Sequence, residues 1–247
     1  MKIVIPARLN SRRVPRKPLQ VIKGGYVIEW TCRNAMVAAA ELGAEVIVAT
    51  DSEDVHRVVK RMGIRVIVTD DGDRRVENGT ERLALVAEYL KLPLSEIVIN
   101  VQGDNWEVSP IAIRQLAAHM KAHSFGSLYR RHRTLYCLCE ELADGDRDKN
   151  SIVKVVTCAN DNALFFTRAN VLHAHKHCGI YGQYVSFLHT YTQMEQRTLE
   201  RNESLEQMRV LENGGIVCCP KLTGISTAGR SINVPEDLIE ANLDVSA

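Results

Sequence analysis

The sequence predicts an α/β fold, with a mostly parallel central sheet and helices on both faces. Three observations carry this. Strand-like and helix-like stretches alternate along the chain. The strand-like runs at residues 3–5, 45–49 and 96–101 are nearly continuous in apolar residues, as parallel strands buried on both faces require. Glycines stand where two intervening helices must stop, at Gly43 and Gly63.

In order, residues 3–5 form the first strand, ended by Pro6 and a loop. Residues 26–42 read as a helix, because Val27, Trp30, Ala35, Val37 and Ala38 recur near helical spacing. A strand follows at 45–49. Ser52 is a capping residue for a helix at 53–62, and a third strand spans 65–69. The next helix starts at Gly79 and runs to about Leu90, capped by Asn78 or Thr80. The run 96–101 is the most apolar strand and the expected centre of the sheet. After Pro110, Ile113, Leu116, Ala117 and Met120 mark a helix. Residues 124–150 are rich in charge and periodicity assigns them nothing. Strands at 152–157 and 163–166 flank a turn at 159–162. A helix at 203–211, a strand at 216–219 and a last helix opened by Pro235 complete the chain. No repeat, low-complexity segment or linker divides it, so a single domain over 1–247 is expected.

The 247 residues are 45% apolar and 25% charged, with a formal net charge of +1. This excludes a global basic surface for nucleic acid or an anionic membrane, so any phosphate site must be a local concentration of charge. No basic segment leads into a long apolar one and no apolar run is long enough to span a bilayer. Seven cysteines without a CxxC pair fit reduced, mostly buried thiols and a cytoplasmic location.

The loop after the first strand carries Arg8, Arg12, Arg13, Arg16 and Lys17. A buried strand that empties into a cationic loop suits nucleotide phosphates, since ligands of open α/β sheets sit beyond the strands' carboxyl ends. By residue type alone a solvated basic turn is equally compatible. No GxGxxG follows the strand, which disfavours a dinucleotide oxidoreductase. Gln102, Gly103 and Asp104 end the expected central strand. An acid there, beside a glycine, can hold Mg²⁺ on a triphosphate, although Gly-Asp pairs are also ordinary turn formers.

Pro6-Ala7-Arg8, Ser11, Arg13, Pro15 and Lys17-Pro18-Leu19 together resemble the signature P-A-R-Y-x-S-x-R-L-P-G-K-P-L of the CMP-Kdo synthetases, the 3-deoxy-manno-octulosonate cytidylyltransferases. The resemblance continues through Gln102-Gly103-Asp104, Ala49-Thr50-Asp51, and residues 78–84 (NGTERLA), similar to S-G-T-E-R-L-A. It extends to V-K-V-V at 153–156, residues 163–168, residues 177–182 (HCGIYG) and residues 204–214 (SLEQMRVLENG). It implies a Rossmann-like nucleotide-diphospho-sugar transferase fold and coupling of CTP to a 3-deoxy-2-ulosonic acid (Kdo or a close relative). The products are the CMP-sugar and pyrophosphate, in lipopolysaccharide biosynthesis. It implies that Arg8, Arg13 and Lys17 clamp the triphosphate and that Asp104 holds Mg²⁺. Pro6, Ala7, Asn78, Gly79, Thr80 and Gln102 would contact the nucleotide. Arg82, Arg168, His177, Tyr181, Glu206 and Gln207 would read the sugar acid. A homodimer is implied, formed through residues 186–199. The first loop lacks the Gly-Ser-Lys-Gly pattern of the sialic-acid-activating branch.

The chain departs from the family pattern in places. Asp104 is followed by Asn105-Trp106 instead of Glu-Pro. Asn233 stands where the family has an Asp implied to be a second metal ligand; an amide oxygen can ligate Mg²⁺ but brings no charge. Arg16 replaces a loop glycine, Gly24-Gly25-Tyr26 stands for G-K-P, and the stretch between Arg168 and His177 is short. These changes keep open a nucleotidyltransferase for a different sugar acid, or a catalytically weakened homologue acting as a binding or interaction subunit. Other clusters have plainer readings. Glu206 and Arg209 have the spacing of an exposed helix pair. His173, His175 and His177 could gather three imidazoles on one face of an extended segment, but no second Cys or His set completes a site. Residues 129–133 (YRRHR) read as a solvated edge or subunit contact in a neutral chain.

Overall fold

The computed structural model describes residues 1–11, 13–69, 76, 78–123 and 131–243. In chain order the strands are β1 (Lys2–Ala7), β2 (Val21–Ile22), β3 (Gly25–Tyr26), β4 (Glu45–Thr50), β5 (Arg65–Val68) and β6 (Ile97–Val101). β7 (Thr134–Glu140), β8 (Lys154–Thr157), β9 (Ala163–Thr167), β10 (His175–Tyr184) and β11 (Ile216–Cys218) follow. Apart from the β2–β3 hairpin they form one sheet with the path β11-β7-β10-β6-β1-β4-β5; β8 pairs with β10, and β9 with β8. β1 is parallel to β4 and β6, and β4 to β5, whereas β10 runs antiparallel to β6, β7 and β8.

The helices α1 (Val27–Leu42), α2 (Glu53–Lys60), α3 (Gly79–Tyr89) and α4 (Pro110–Ala122) connect the parallel strands, and α5 (Val185–Tyr191) follows β10. On β1, Ile3 and Ile5 pack towards α1, α2 and α4, and Val4 towards α3 and α5. Successive residues of a strand face opposite sides, so a strand with helices on both faces must be apolar throughout. Each fully buried Ile or Val there contributes roughly 1.5–3 kcal/mol. The helix ends are as the sequence predicts: Gly43 takes φ 60° beyond α1, and Ser52 Oγ accepts from Val55 N at 3.4 Å. Of the two candidate caps for α3, Asn78 is the cap, its side-chain carbonyl accepting from Glu81 N at 2.9 Å, and Thr80 lies within the first turn.

The chain leaves β1 for β4 on one side and returns to β6 on the other. The carboxyl ends of β1 and β6 therefore diverge at a topological switch point, where a crevice must open. Beyond β10 a second core gathers β7 to β11 against α5 and α7 (Glu206–Glu212), and α6 (Thr198–Glu203) is bonded to the end of α7 through Glu212. A small cluster under α8 (Pro235–Leu243) joins Trp106 to Val14, Ile22 and Val27.

One expectation needs correction, and two stretches without an assignment prove to be strands. The helix at 203–211 is two short helices broken at Ser204, which takes φ 54°. Residues 134–140, unassigned from sequence, form the buried strand β7, and 175–184 form the long β10. All seven cysteines are free, six of them buried. No helix among the described residues is long and apolar enough to cross a membrane.

Candidate active site

The crevice between β1 and β6 is a cavity of about 200 Å³, floored by Pro6 and Ala7 and lined by Arg8, Lys17, Asn78, Gly79, Arg82, Gln102 and Asp104. Asn10 and Ser11, to which the sequence assigned no role, line it as well. Gly103 is what lets its two walls meet. Its N–H donates to Pro6 O at 3.2 Å, and a Cβ there would lie 2.8 Å from that oxygen. Only glycine fits so close a backbone approach.

Lys17 is delivered by a short 3₁₀ turn at Lys17–Leu19, preceded by Arg16 in the left-handed region at φ 50°. That is where the family pattern has glycine; here the Arg16 guanidinium is tied to Asp54 at 2.7 Å instead. Lys17 is 8% exposed, and its ammonium donates to Asp104 Oδ2 at 2.7 Å. Two residues 87 positions apart thus form one charge pair at the cavity wall. Asp51, at the end of β4, accepts from Leu9 N at 2.9 Å and from Arg82 Nη2 at 3.4 Å. It fixes the start of the cationic loop, a role the acid after the second strand could have signalled. Arg82, expected with the sugar-reading set, lines the first cavity and also donates to Thr69. Arg13 is exposed and does not line the cavity; Arg12 lies outside the described residues.

Arg168, His177, Tyr181, Glu206 and Gln207 do not line this cavity but lie beyond it, just after β9, on β10 and on α7. Four residues of regular strand span about 13 Å, yet the His177 and Tyr181 rings lie 5.1 Å apart. The cause is a bulge between them, turned at Gly179 with φ 66°. His177 Nδ1 accepts from Gly179 N at 3.3 Å, which places the neutral ring's proton on Nε2, a buried atom without a partner. Burial holds the His177 pKa down to about 4. Burial raises the Tyr181 pKa, with Glu206 adding to the rise. Gln207 is 1% exposed and its Nε2 also lacks a partner.

Glu206 connects the two halves. Its carboxylate accepts from Thr80 N at 3.1 Å, at the amino end of α3 where exposed N–H groups favour a negative charge. Burial nonetheless raises its pKa. Thr80, expected to touch nucleotide, is spent on this contact and on Gln183, whose amide donates to Thr80 Oγ1 at 3.4 Å. The exposed Glu206–Arg209 pair is not formed. Arg209 is buried, donating twice to Glu200, at 2.7 and 2.8 Å, and once to Glu81 at 2.9 Å. Arg168 has its pKa lowered by burial and then by Arg13, so the basic loop lies near enough to be felt.

Asn233 lies on a segment running beside Asp104, since Ile232 N donates to Asp104 O at 3.0 Å. Its Nδ2 donates to Ser231 O at 3.5 Å, which leaves the amide oxygen as the ligand-type atom. Among the described residues no three His, Cys, Asp or Glu groups could hold a metal ion, and His173 lies in a turn outside β10. Of residues 129–133, Tyr129 and Arg130 lie outside the described residues. Arg131 stacks 5.3 Å over Tyr184, and Arg133 donates to Asn213 O at 2.9 Å, so these side chains pack locally.

A family model described as cytidylyltransferase matches residues 2–223. The 3-deoxy-manno-octulosonate cytidylyltransferase of Vibrio parahaemolyticus is 34% identical over 252 residues, covering 96% of this chain and 94% of that one. The protein of the same description from Saccharophagus degradans is 36% identical, covering 99% and 98%. A solved CMP:2-keto-3-deoxy-manno-octonic acid synthetase complexed with CTP is 30% identical with a TM-score of 0.83, covering 99% of this chain and 97% of that one. A nucleotidyl transferase from Methanothermobacter, at 17% identity and a TM-score of 0.60, shares the fold.

Proposed function

Because the chain belongs to the 3-deoxy-manno-octulosonate cytidylyltransferases, we propose that it couples CTP to Kdo, giving CMP-Kdo and pyrophosphate for lipopolysaccharide synthesis. The observation that carries this reading is the crevice at the β1/β6 switch point, where Arg8, Lys17 and Asp104 converge beside the amino end of α3. Triphosphate lies along Arg8 and Lys17, with Arg13 closing from the loop. Arginine's planar fork suits bidentate phosphate contacts, and lysine adds a point charge. The Asn78–Gly79 turn and Gln102 face the nucleoside.

The acceptor occupies the second group of side chains. Arg168 takes its carboxylate. His177 Nε2 and Gln207 Nε2, both buried donors without partners, take its oxygens, and Glu206 accepts from its hydroxyls. The anomeric hydroxyl oxygen of the acceptor forms a bond to the α-phosphorus of CTP, and the bond from that phosphorus to the bridging oxygen breaks. Pyrophosphate leaves and the hydroxyl proton is released. Catalysis rests on holding the two reactants together and on neutralising charge as it develops.

Asp104 and the amide oxygen of Asn233 would hold a magnesium ion. Both are hard oxygen donors on adjoining segments, and this cation usually takes one or two protein ligands beside phosphate oxygens. When bound, it supplies positive charge to the triphosphate oxygens. A homodimer through 186–199 would use the outward side chains of that segment, because Ser186, Phe187, Leu188 and Tyr191 point into their own core. Free cysteines suit a cytoplasmic enzyme.

The test is pyrophosphate release from CTP and Mg²⁺ with Kdo, against a panel of related 2-ulosonic acids. Release with Kdo is expected. No release with any of them, in a protein that still binds CTP, would refute the reading.

A further inference from the structure

Lys154, in β8, has no exposed surface. Its ammonium donates to Lys149 O at 2.7 Å and to Arg168 O at 2.9 Å, and among the described residues it forms no ion pair with a carboxylate. Burying an ammonium on neutral acceptors is costly, and an apolar side chain of similar volume would avoid the cost. Burial accordingly lowers its pKa, Arg168 lowering it further and Asp148 opposing. A charge kept under those conditions is retained for what its donors hold.

They hold both ends of the Arg168 environment. The Arg168 guanidinium donates from Nη1 to Asn150 O at 3.0 Å and to Ser151 O at 3.5 Å, in the same turn whose first carbonyl is bound by Lys154. The Arg168 N–H donates to Glu203 Oε2 at 3.1 Å, and its carbonyl accepts from Lys154. The peptide groups flanking the Arg168 side chain are therefore fixed from both sides, and Lys154 joins the 149–151 turn to the backbone of residue 168, beside the bonds that the guanidinium itself makes to that turn.

We propose that Lys154 is a positioning residue for the acceptor. By stapling the 149–151 turn to the backbone of Arg168, it aims that guanidinium at the carboxylate of the incoming sugar acid. This rests on the role given to Arg168 above.

The test is steady-state kinetics of Lys154→Met with Kdo and CTP varied separately, beside Arg168→Ala and the double variant. The expected result is a KM for Kdo at least tenfold higher, a KM for CTP within twofold and kcat within threefold. The double variant should be no worse for Kdo than Arg168→Ala alone. Lys154→Gln, which keeps donors for the carbonyls, should recover part of the loss. Equal effects on both substrates, or none, in a variant that melts like wild type would overturn the proposal. So would loss of folding in both Lys154 variants, which would make the residue purely structural. An unchanged KM for Kdo in Arg168→Ala would instead overturn the reading of Arg168, and inactivity of the wild type the reading of the reaction.

Discussion

Mild acid should weaken this fold through His177. The residue is 8% exposed, its Nδ1 accepts from Gly179 N, and burial holds its pKa at about 4 against the ordinary 6.5. Protonation would put a hydrogen on Nδ1 facing an N–H, so a hydrogen bond would become a clash of donors. Between the two pKa values the unfolded chain binds more protons than the folded one, so stability rises with pH across that window and is lost as pH falls. The contribution is complete above pH 6.5. At 1.36 kcal/mol per pKa unit the full loss by pH 4 is about 3 kcal/mol, with about 2 kcal/mol of it gone at pH 5. Urea denaturation at pH 7.5 and pH 5 measures it, with His177→Phe as the control, because a phenyl ring can pack between Phe166 and Tyr181 without titrating. The wild type should lose about 2 kcal/mol more than the variant between those pH values. Identical losses, or an imidazole resonance of His177 titrating near its ordinary value, would refute the reasoning.

Asp104→Ala should remove Mg²⁺-dependent pyrophosphate release by at least ~100-fold, on the scale of losing a principal electrostatic group. It should also cost roughly 1–3 kcal/mol of stability, since the buried Lys17 ammonium loses its partner; a variant that turns over normally would remove Asp104 from the metal site. Lys17→Ala should mainly raise the KM for CTP, and unchanged CTP kinetics would end its role as a phosphate clamp. Arg209→Met should cost roughly 3–5 kcal/mol, because Glu200 is left charged and buried. Adding Glu200→Gln should restore much of that in a denaturation experiment, and simple additivity of the two would show that the pair is not coupled.

What was legible in the sequence follows from how locally each feature is encoded. β1, β4 and β6 announce themselves because burial on both faces leaves little but apolar residues. β7 escaped notice because charged segments flank it and it ends in Glu140, a buried acid that accepts from Lys176 at 2.8 Å and Ala228 N at 2.6 Å. β10 escaped because its polar residues and its bulge erase a period of two. The break at Ser204 is made without glycine or proline, so nothing in the composition marks it. Most of the residues that line the cavity sit in motifs at strand ends, where sequence singles them out, whereas the sequence assigned no role to Asn10 and Ser11. The inward course of Arg209, the Lys17–Asp104 pair and the work of Lys154 each depend on packing between distant segments. Spacing along the chain could not reveal them.

β10 pairs on one edge with β6, whose carboxyl end walls the crevice, and on the other with β7, and it carries His177 and Tyr181 of the acceptor pocket proposed above. On that proposal, its length acts as a gauge block between the two reactants. Adding or deleting a residue there would turn His177 or Tyr181 to the opposite face and alter the gap that the transferred phosphorus must cross. Changes of acceptor within such a frame are therefore confined to side chains and to the turns that frame the pocket, such as the short stretch between Arg168 and His177. The spacing of the two reactants stays constant while the identity of one is free to drift.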